Sequence, residues 1–589
     1  MIFGRHVNKY YARYWYMFLL GILATIVVDV VQLEIPNNYG SLIDYLEQEK
    51  LTIPLLMAII TNISIIIIIL FVGRFLWRIC LLGAAIKIER DLRKEMFLHT
   101  EKLAQTFFQT NKTGAQMALY TNDIMSIRDC FSDGVIMLID ALFLGTMAFI
   151  KMFQLNVPLS LISAIPLLIL AMCGGIIGKY MDKKWDARQA AYDKMSDFTQ
   201  ENFSGISVIK AFVKEKEELR EFTKINKDNE VKNLDFVKFS TLMEILIDLL
   251  ISTIMIIIIG YGSYLVKSTD SFTIGDLTRF NSYFGTLIWP MMAVAYLINM
   301  RAQGTASLKR ISELLDQKIE VKDADDVITD AELNGNIEFK NLNFTYPLSE
   351  TEVLHNVSFD IKAGETIGII GHTGSGKTTL VDILTRIYNI PEESVFIDGY
   401  DIMKLPIRDV RNLISYVPQD NFLFGATILE NIAFSRDEMT VEEAMVYGKL
   451  AGVHDDIMGF KDGYMTVIGE RGVTLSGGQK QRISIARALA KEAKVLILDD
   501  SVSAVDTKTE SMILSNLKEY KNGRTIILIA HRVSTVINSD KIILIDDGKI
   551  VACGKHQELL ENVPMYAEIV HLQELEAELT KDEHEMEVK

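Results

Sequence analysis

Apolar residues dominate the first three hundred positions in runs too long for a soluble core, then give way to a shorter, mixed rhythm. A bilayer core takes about 20 apolar residues per helix. Six segments reach that length, at about 15–36, 53–78, 133–154, 156–178, 241–266 and 276–299. The third and fourth are joined so tightly that they must form a hairpin. Between spans, 79–132 and 179–240 keep apolar residues at helical spacing, for example Leu103, Phe107 and Phe108, or Phe203, Ile206 and Ile209. These stretches predict helices projecting from the bilayer, each turned at a glycine, Gly114 and Gly205. From residue 335 the period shortens. Asn336–Tyr346 alternates apolar and polar like a half-buried strand, and Thr366–Ile370 reads as a buried one.

Basic residues set the orientation. Arg5, Lys9 and Arg13 precede the first span, and the two projecting stretches are rich in lysine and arginine. The 37–52 loop holds one lysine against Asp44, Glu47 and Glu49. Both termini are therefore expected in the cytoplasm of a multi-pass plasma-membrane protein. The first apolar run lacks a following small-residue cleavage site and is expected to stay as a span. The 589 residues divide into a membrane domain (1–300), a polar linker (301–334), an α/β domain (335–575) and an acidic tail (576–589). The formal charge of −17 argues against a nucleic-acid partner. Cys80, Cys130, Cys173 and Cys553 show neither metal-ligand nor disulfide spacing.

Asp29, Glu34, Asp140, Glu244 and Asp248 lie within or at the edges of spans, where a carboxylate is costly. Either they face a polar cavity that attracts cationic amphiphiles, or they hydrogen-bond between helices.

The chemistry concentrates further on. Gly371-His-Thr373-Gly374-Ser375-Gly376-Lys377-Thr378-Thr379 is a complete phosphate-binding loop between a strand and a helix. Its glycines let backbone N–H groups close around phosphates, and Lys377 meets the terminal charge. Thr378 is placed to ligate magnesium. Val495–Leu498 then leads into Asp499 and Asp500, an acidic strand end of Walker B type. Shortly before it, Leu475-Ser476-Gly477-Gly478-Gln479 opens a second helix with paired glycines, a second phosphate cradle. One ATP cannot occupy both.

These motifs, in this order, resemble an ABC transporter nucleotide-binding domain. The whole chain resembles an ABC exporter half-transporter: six transmembrane helices, then an α/β P-loop domain. The resemblance implies ATP and Mg²⁺ as ligands, with each ATP held between one subunit's P-loop and the other's Ser476–Gln479 signature. It assigns Tyr346 to adenine stacking and Gln419 to magnesium and γ-phosphate sensing, with Thr378 and Asp499 as further magnesium ligands. It assigns His531 to the γ-phosphate, Ser503 and Asp506 to the D-loop, and Gly114, Gly205 and Glu470 to coupling with the membrane domain. Asp500 departs from the family pattern, which has glutamate there to align the attacking water. Aspartate is one methylene short, and about 1 Å of misplacement can cost roughly 10²-fold in rate. The resemblance is therefore to the degenerate-site subunit of bacterial heterodimeric multidrug exporters. It implies a partner half-transporter with the usual glutamate, amphipathic small-molecule cargo and contact with membrane lipid. A lipid flippase, a slow homodimeric exporter and a channel-like regulator are the competing expectations.

Overall fold

The computed structural model describes residues 2–269, 271–469, 472, 474–502 and 506–587, with the backbone course alone for 167–179, 182, 507 and 576–587. The chain forms two compact units, Met1–Phe97 with Met117–Leu315, and Leu98–Gln116 with Asp316–Lys589.

The first unit is helical. The first span is α1 (Trp15–Gln32) continued by α2 (Glu34–Glu47), and the second is α3 (Ile53–Thr100). The third is α4 (Asp133–Ile139) and α5 (Gly145–Leu155), joined by a π-helical turn over Asp140–Leu144. The fourth begins α6 (Val157–Ser204), capped where the Asn156 side chain accepts the Leu159 N–H at 2.9 Å. The fifth and sixth lie in α7 (Glu215–Ser268) and α8 (Ile274–Leu315). Beyond the bilayer, α6 and α7 form a hairpin zipped by aromatic contacts such as Trp185–Phe236 at 5.5 Å. Phe280, Tyr283 and Phe284 on α8 pack against Met152 of α5 and Ile254 and Ile258 of α7.

Two expectations need correction. The linker does not begin at residue 301, because α8 continues to Leu315. Its apolar stripe persists through Leu308, Ile311 and Leu314, all buried, so helical packing continues where polar composition suggested a break. Gly114 does not mark a turn either. It lies inside the helix Thr113–Ala118, with no neighbour within 4 Å of where a Cβ would stand. The break falls earlier, around a short helix, Gln105–Thr110. Gly205 does mark one: it ends α6, and the short helix Ile206–Ala211 follows.

The second unit holds two sheets. β1 (Ile337–Thr345), β2 (Glu352–Ile361), β4 (Val395–Ile397) and β5 (Tyr400–Asp401) form an antiparallel sheet in the order β2-β1-β4-β5. The larger sheet runs β10-β9-β3-β8-β7-β6, from β3 (Thr366–Ile370), β6 (Ile414–Val417), β7 (Val495–Asp499), β8 (Thr525–Ala530), β9 (Lys541–Asp546) and β10 (Lys549–Gly554). All its pairings are parallel except that of β10. A parallel sheet covered on both faces needs nearly continuous apolar strands, and alternate residues feed opposite cores. Along β8, Ile527 and Ile529 enter the core shared with the antiparallel sheet, while Ile526, Leu528 and Ala530 enter the core on the other face. Each of these isoleucine and leucine side chains contributes about 1.5–3 kcal/mol of burial.

Candidate functional site

Strands β3, β6, β7 and β8 end side by side at one edge of the larger sheet, and the loops leaving them carry the chemistry. Ligands of open α/β sheets bind at such carboxyl ends. A cavity of about 300 Å³ opens there, lined by Tyr346, Thr373, Gly374, Gly376, Lys377, Thr378, Thr379, Gln419, Asp499, Asp500 and His531. The expected pocket thus assembles from segments up to 185 positions apart, 346 to 531.

The phosphate loop follows β3 and turns into α9 (Lys377–Leu384) at Gly376, whose φ of +99° is left-handed and favours glycine. A Cβ on Gly371 would stand 2.0 Å from the Ile545 carbonyl oxygen, so the loop fits against β9 only without a side chain there. Ser375 is buried beneath the loop. Lys377, 7% exposed, folds back to donate to the carbonyls of Gly371 (2.9 Å) and His372 (2.8 Å). Burial pushes its ammonium pKa down, opposed by the nearby charges of Asp499 and Asp500.

Asp499 ends β7 at 1% exposure. Burial holds its carboxyl above the usual range, with Asp500 adding to the effect, while hydrogen bonds from Thr378 and Tyr416 oppose it. The Tyr416 hydroxyl donates to Asp499 Oδ2 at 3.4 Å, and burial with the same carboxylate drives its own pKa upward. Asp500 takes a left-handed φ of +44° and donates its N–H to the Ile529 carbonyl at 2.8 Å. Its Oδ2 accepts from Gln419 Nε2 at 3.4 Å, so both lie on one wall of the cavity.

The Tyr346 ring lies edge-on to Phe344 and Tyr388, at 5.1 and 5.2 Å, and its hydroxyl stands 2.8 Å from Thr379 Oγ1. Tyr388 in turn accepts from Gln109 Nε2 at 3.1 Å, which ties the short helix Gln105–Thr110 to the aromatic cluster. Sequence reading missed Gln109, Tyr388 and Tyr416. It also missed Gln573, near the end of the α/β domain. Its amide accepts the Val533 N–H at 2.8 Å and donates to the His531 carbonyl at 2.7 Å, pinning the histidine loop from α12 (Pro564–Glu587). A glutamine ahead of an acid-rich run carries no motif signal; only the fold brings it to the loop.

The second cradle is intact but separate. Ser476 caps α10 (Gly477–Ala490) in a reciprocal box with Gln479, at 3.3 and 3.1 Å. Beside Gly477 nothing lies within 4 Å of a Cβ position, so the helix start is open. Among the described residues, none of Ser476–Gln479 lines the 300 Å³ cavity. Asp506 caps α11 (Thr507–Tyr520), accepting the N–H groups of Lys508 and Thr509. Glu470 and Ser503 lie outside the described residues.

A helical membrane unit followed on one chain by an α/β unit with a P-loop and a second glycine cradle defines a membrane-embedded nucleotide-binding transporter subunit. Residues 18–291 match the ABC transporter transmembrane region, and residues 354–503 match the ABC transporter domain. Over 572 residues the chain is 35% identical to the "Probable multidrug resistance ABC transporter ATP-binding/permease protein YheI" of Bacillus subtilis, covering 97% of each protein. It is 34% identical to "Multidrug resistance-like ATP-binding protein MdlA" of Escherichia coli, again over 97% of each. Its fold matches the "Structure of a bacterial Atm1-family ABC exporter with ATP bound", with a TM-score of 0.75 and 26% identity, covering 96% of this chain and 99% of that one. The chain belongs to the ABC transporter family and is an exporter-type half-transporter.

Proposed function

We propose that this half-transporter exports amphipathic compounds from a bacterial cytoplasm or inner leaflet as one half of a heterodimer. In that pair it holds ATP at its own P-loop and lends Ser476–Gln479 to the hydrolytic site of its partner. The observation that carries the reading is the pairing of a complete phosphate loop and an intact signature helix with aspartate at position 500. The multidrug-resistance names of its relatives support amphipathic cargo.

The residues divide the work. Tyr346, braced by Phe344 and Tyr388, offers its ring to adenine. The loop from Gly371 to Thr379 wraps the phosphates with N–H donors, and Lys377 exchanges its carbonyl contacts for the β- and γ-oxygens. Thr378, Asp499 and Gln419 offer the hard oxygen donors that magnesium takes, and a divalent cation beside Asp499 relieves the burial of that carboxylate. When bound, magnesium would supply charge neutralisation to the phosphates. His531, on a loop anchored by Gln573, faces the γ-phosphate. Asp500 polarises water poorly from its retracted position, so nucleotide is retained and keeps the two nucleotide-binding domains associated. The short helices Gln105–Thr110 and Ile206–Ala211 transmit their closure to the spans, with both termini in the cytoplasm. The cycle is a ligand-biased two-state equilibrium.

The test is steady-state ATPase activity of the chain expressed alone and with a partner half-transporter carrying glutamate after its Walker B aspartate. Activity and its stimulation by cargo are expected only in the pair. Strong cargo-stimulated turnover by the chain alone would refute the heterodimer reading.

A further inference from the structure

We propose that the membrane unit carries a binding site for organic cations, with Asp29 and Asp140 as its anions and Trp77 and Trp289 as its aromatic walls. The inference rests on the export reading for its physiological meaning, but on the cavity itself for its chemistry.

A cavity of about 520 Å³ opens between α1, α3, α8 and the third span, within the usual size of small-molecule sites. Its wall carries these four residues together with Gln32 and Arg74. Of the five acids flagged in the spans, only Asp29 and Asp140 line it. Glu34 faces Lys151 at 3.4 Å, and Glu244 and Asp248 are exposed on α7. Asp29 is 3% exposed, and its Oδ2 has no hydrogen-bond partner. A buried carboxylate oxygen left unsatisfied is costly, and the cost is recovered when a cation or donor arrives. Asp140, also buried, accepts from Trp289 Nε1 at 2.8 Å, which fixes that indole on the cavity wall. Arg74, the one basic side chain lining the cavity, donates to Gln32 Oε1 at 3.0 Å and makes no ion pair within 4.0 Å with either acid among the described residues. With both acids ionised, the cavity carries one more negative charge than positive.

The backbone at Asp140 is irregular. Asp140 opens the π-helical turn, a feature that recurs at functional sites because it redirects a side chain at some cost in helix stability. Trp289 directly precedes Pro290 within α8. The turn ends close against that proline: a Cβ on Gly145, the residue after it, would stand 3.1 Å from Pro290 Cβ. The π-helical turn and the proline-bearing helix α8 thus present a carboxylate and an indole to one cavity. A delocalised organic cation fits that pairing, its charge against Asp29 and its flat faces against tryptophan, where cation–π attraction adds to the ion contact.

The test measures binding of tetraphenylphosphonium, uncharged tetraphenylmethane and anionic tetraphenylborate to the full-length protein in nanodiscs without nucleotide. These probes share a shape and differ in charge. The cation is expected to bind at least about tenfold more tightly than either analogue, Asp29→Asn to lose most of that preference, and Asp29→Glu to keep it. Equal affinity for tetraphenylborate, which needs no variant to measure, would overturn the proposal, as would undiminished cation binding by Asp29→Asn. Export fails separately: cation binding without ATP-driven movement would refute the exporter reading and leave this site standing. Export of an uncharged cargo by a protein that ignores the cation would do the reverse.

Discussion

Replacing Asp500 by glutamate isolates what the retracted carboxylate does. Asp500 Oδ2 now lies 3.4 Å from Gln419 Nε2 on the cavity wall. One added methylene extends the carboxylate by about 1.5 Å. If the native group falls short of the attacking water by about 1 Å, the change restores roughly 10²-fold in rate. That factor corresponds to about 2.7 kcal/mol of barrier. The substitution also has a cost, because position 500 sits at φ +44°, a region that aspartate tolerates better than glutamate. The strain should not exceed about 1 kcal/mol, or a few degrees of melting temperature. Rate and stability are thus expected to move in opposite directions, which a general repair or loss of folding would not produce. The assay is single-turnover hydrolysis of γ-labelled ATP by the assembled pair, with the partner's Walker B glutamate changed to glutamine so that only this site reports. Asp500→Asn should leave the slow native rate almost unchanged. A native site already as fast as Asp500→Glu, or no gain on substitution, would refute the reasoning.

Other expectations follow from single contacts. Tyr346→Ala removes the ring braced by Tyr388 and the hydroxyl facing Thr379; ATP affinity in equilibrium binding should fall about tenfold, equivalent to about 1.4 kcal/mol. Gln573→Ala removes both bonds that hold the His531–Val533 backbone. Amide exchange at Val533 should accelerate about thirtyfold, as two net hydrogen bonds of about 1 kcal/mol each would require, and unchanged exchange would count against the clamp. Asp382, on α9, has its carboxyl pKa raised to about 6 by burial, with Asp499 adding to it. A raised carboxyl favours the folded state most at low pH and loses that contribution as pH rises through about 6. Asp382→Asn should therefore melt higher than the native protein at pH 8, by up to about 3 kcal/mol, with the gap closing towards pH 4. A gap that does not depend on pH would refute this assignment.

What could be read directly was local or periodic. Spans declare themselves by length. The phosphate loop is nine consecutive residues whose geometry depends on their own glycines and on the strand and helix beside them. Ser476–Gln479 likewise closes its capping box within four residues. The errors arose where one residue was asked to carry a long-range inference. Gly114 suggested a turn that the backbone makes elsewhere, and polar composition after residue 300 hid the buried stripe Leu308–Ile311–Leu314. Gln573 carried no local signal because its partners stand some forty positions upstream.

Order along the chain determined the division into a bilayer-spanning half and a nucleotide-binding half, because hydropathy and contiguous motifs act over a few residues at a time. Which acids face a common cavity, which tyrosine touches Asp499 and which glutamine holds the histidine loop were decided only by tertiary packing. Those contacts join residues separated by 111, 83 and 42 positions: 29 to 140, 416 to 499 and 531 to 573. At such separations no helical or strand period relates one residue to the other. Their meeting depends on which helices cross and which strands lie adjacent, and burial then sets the electrostatic cost that makes each contact matter.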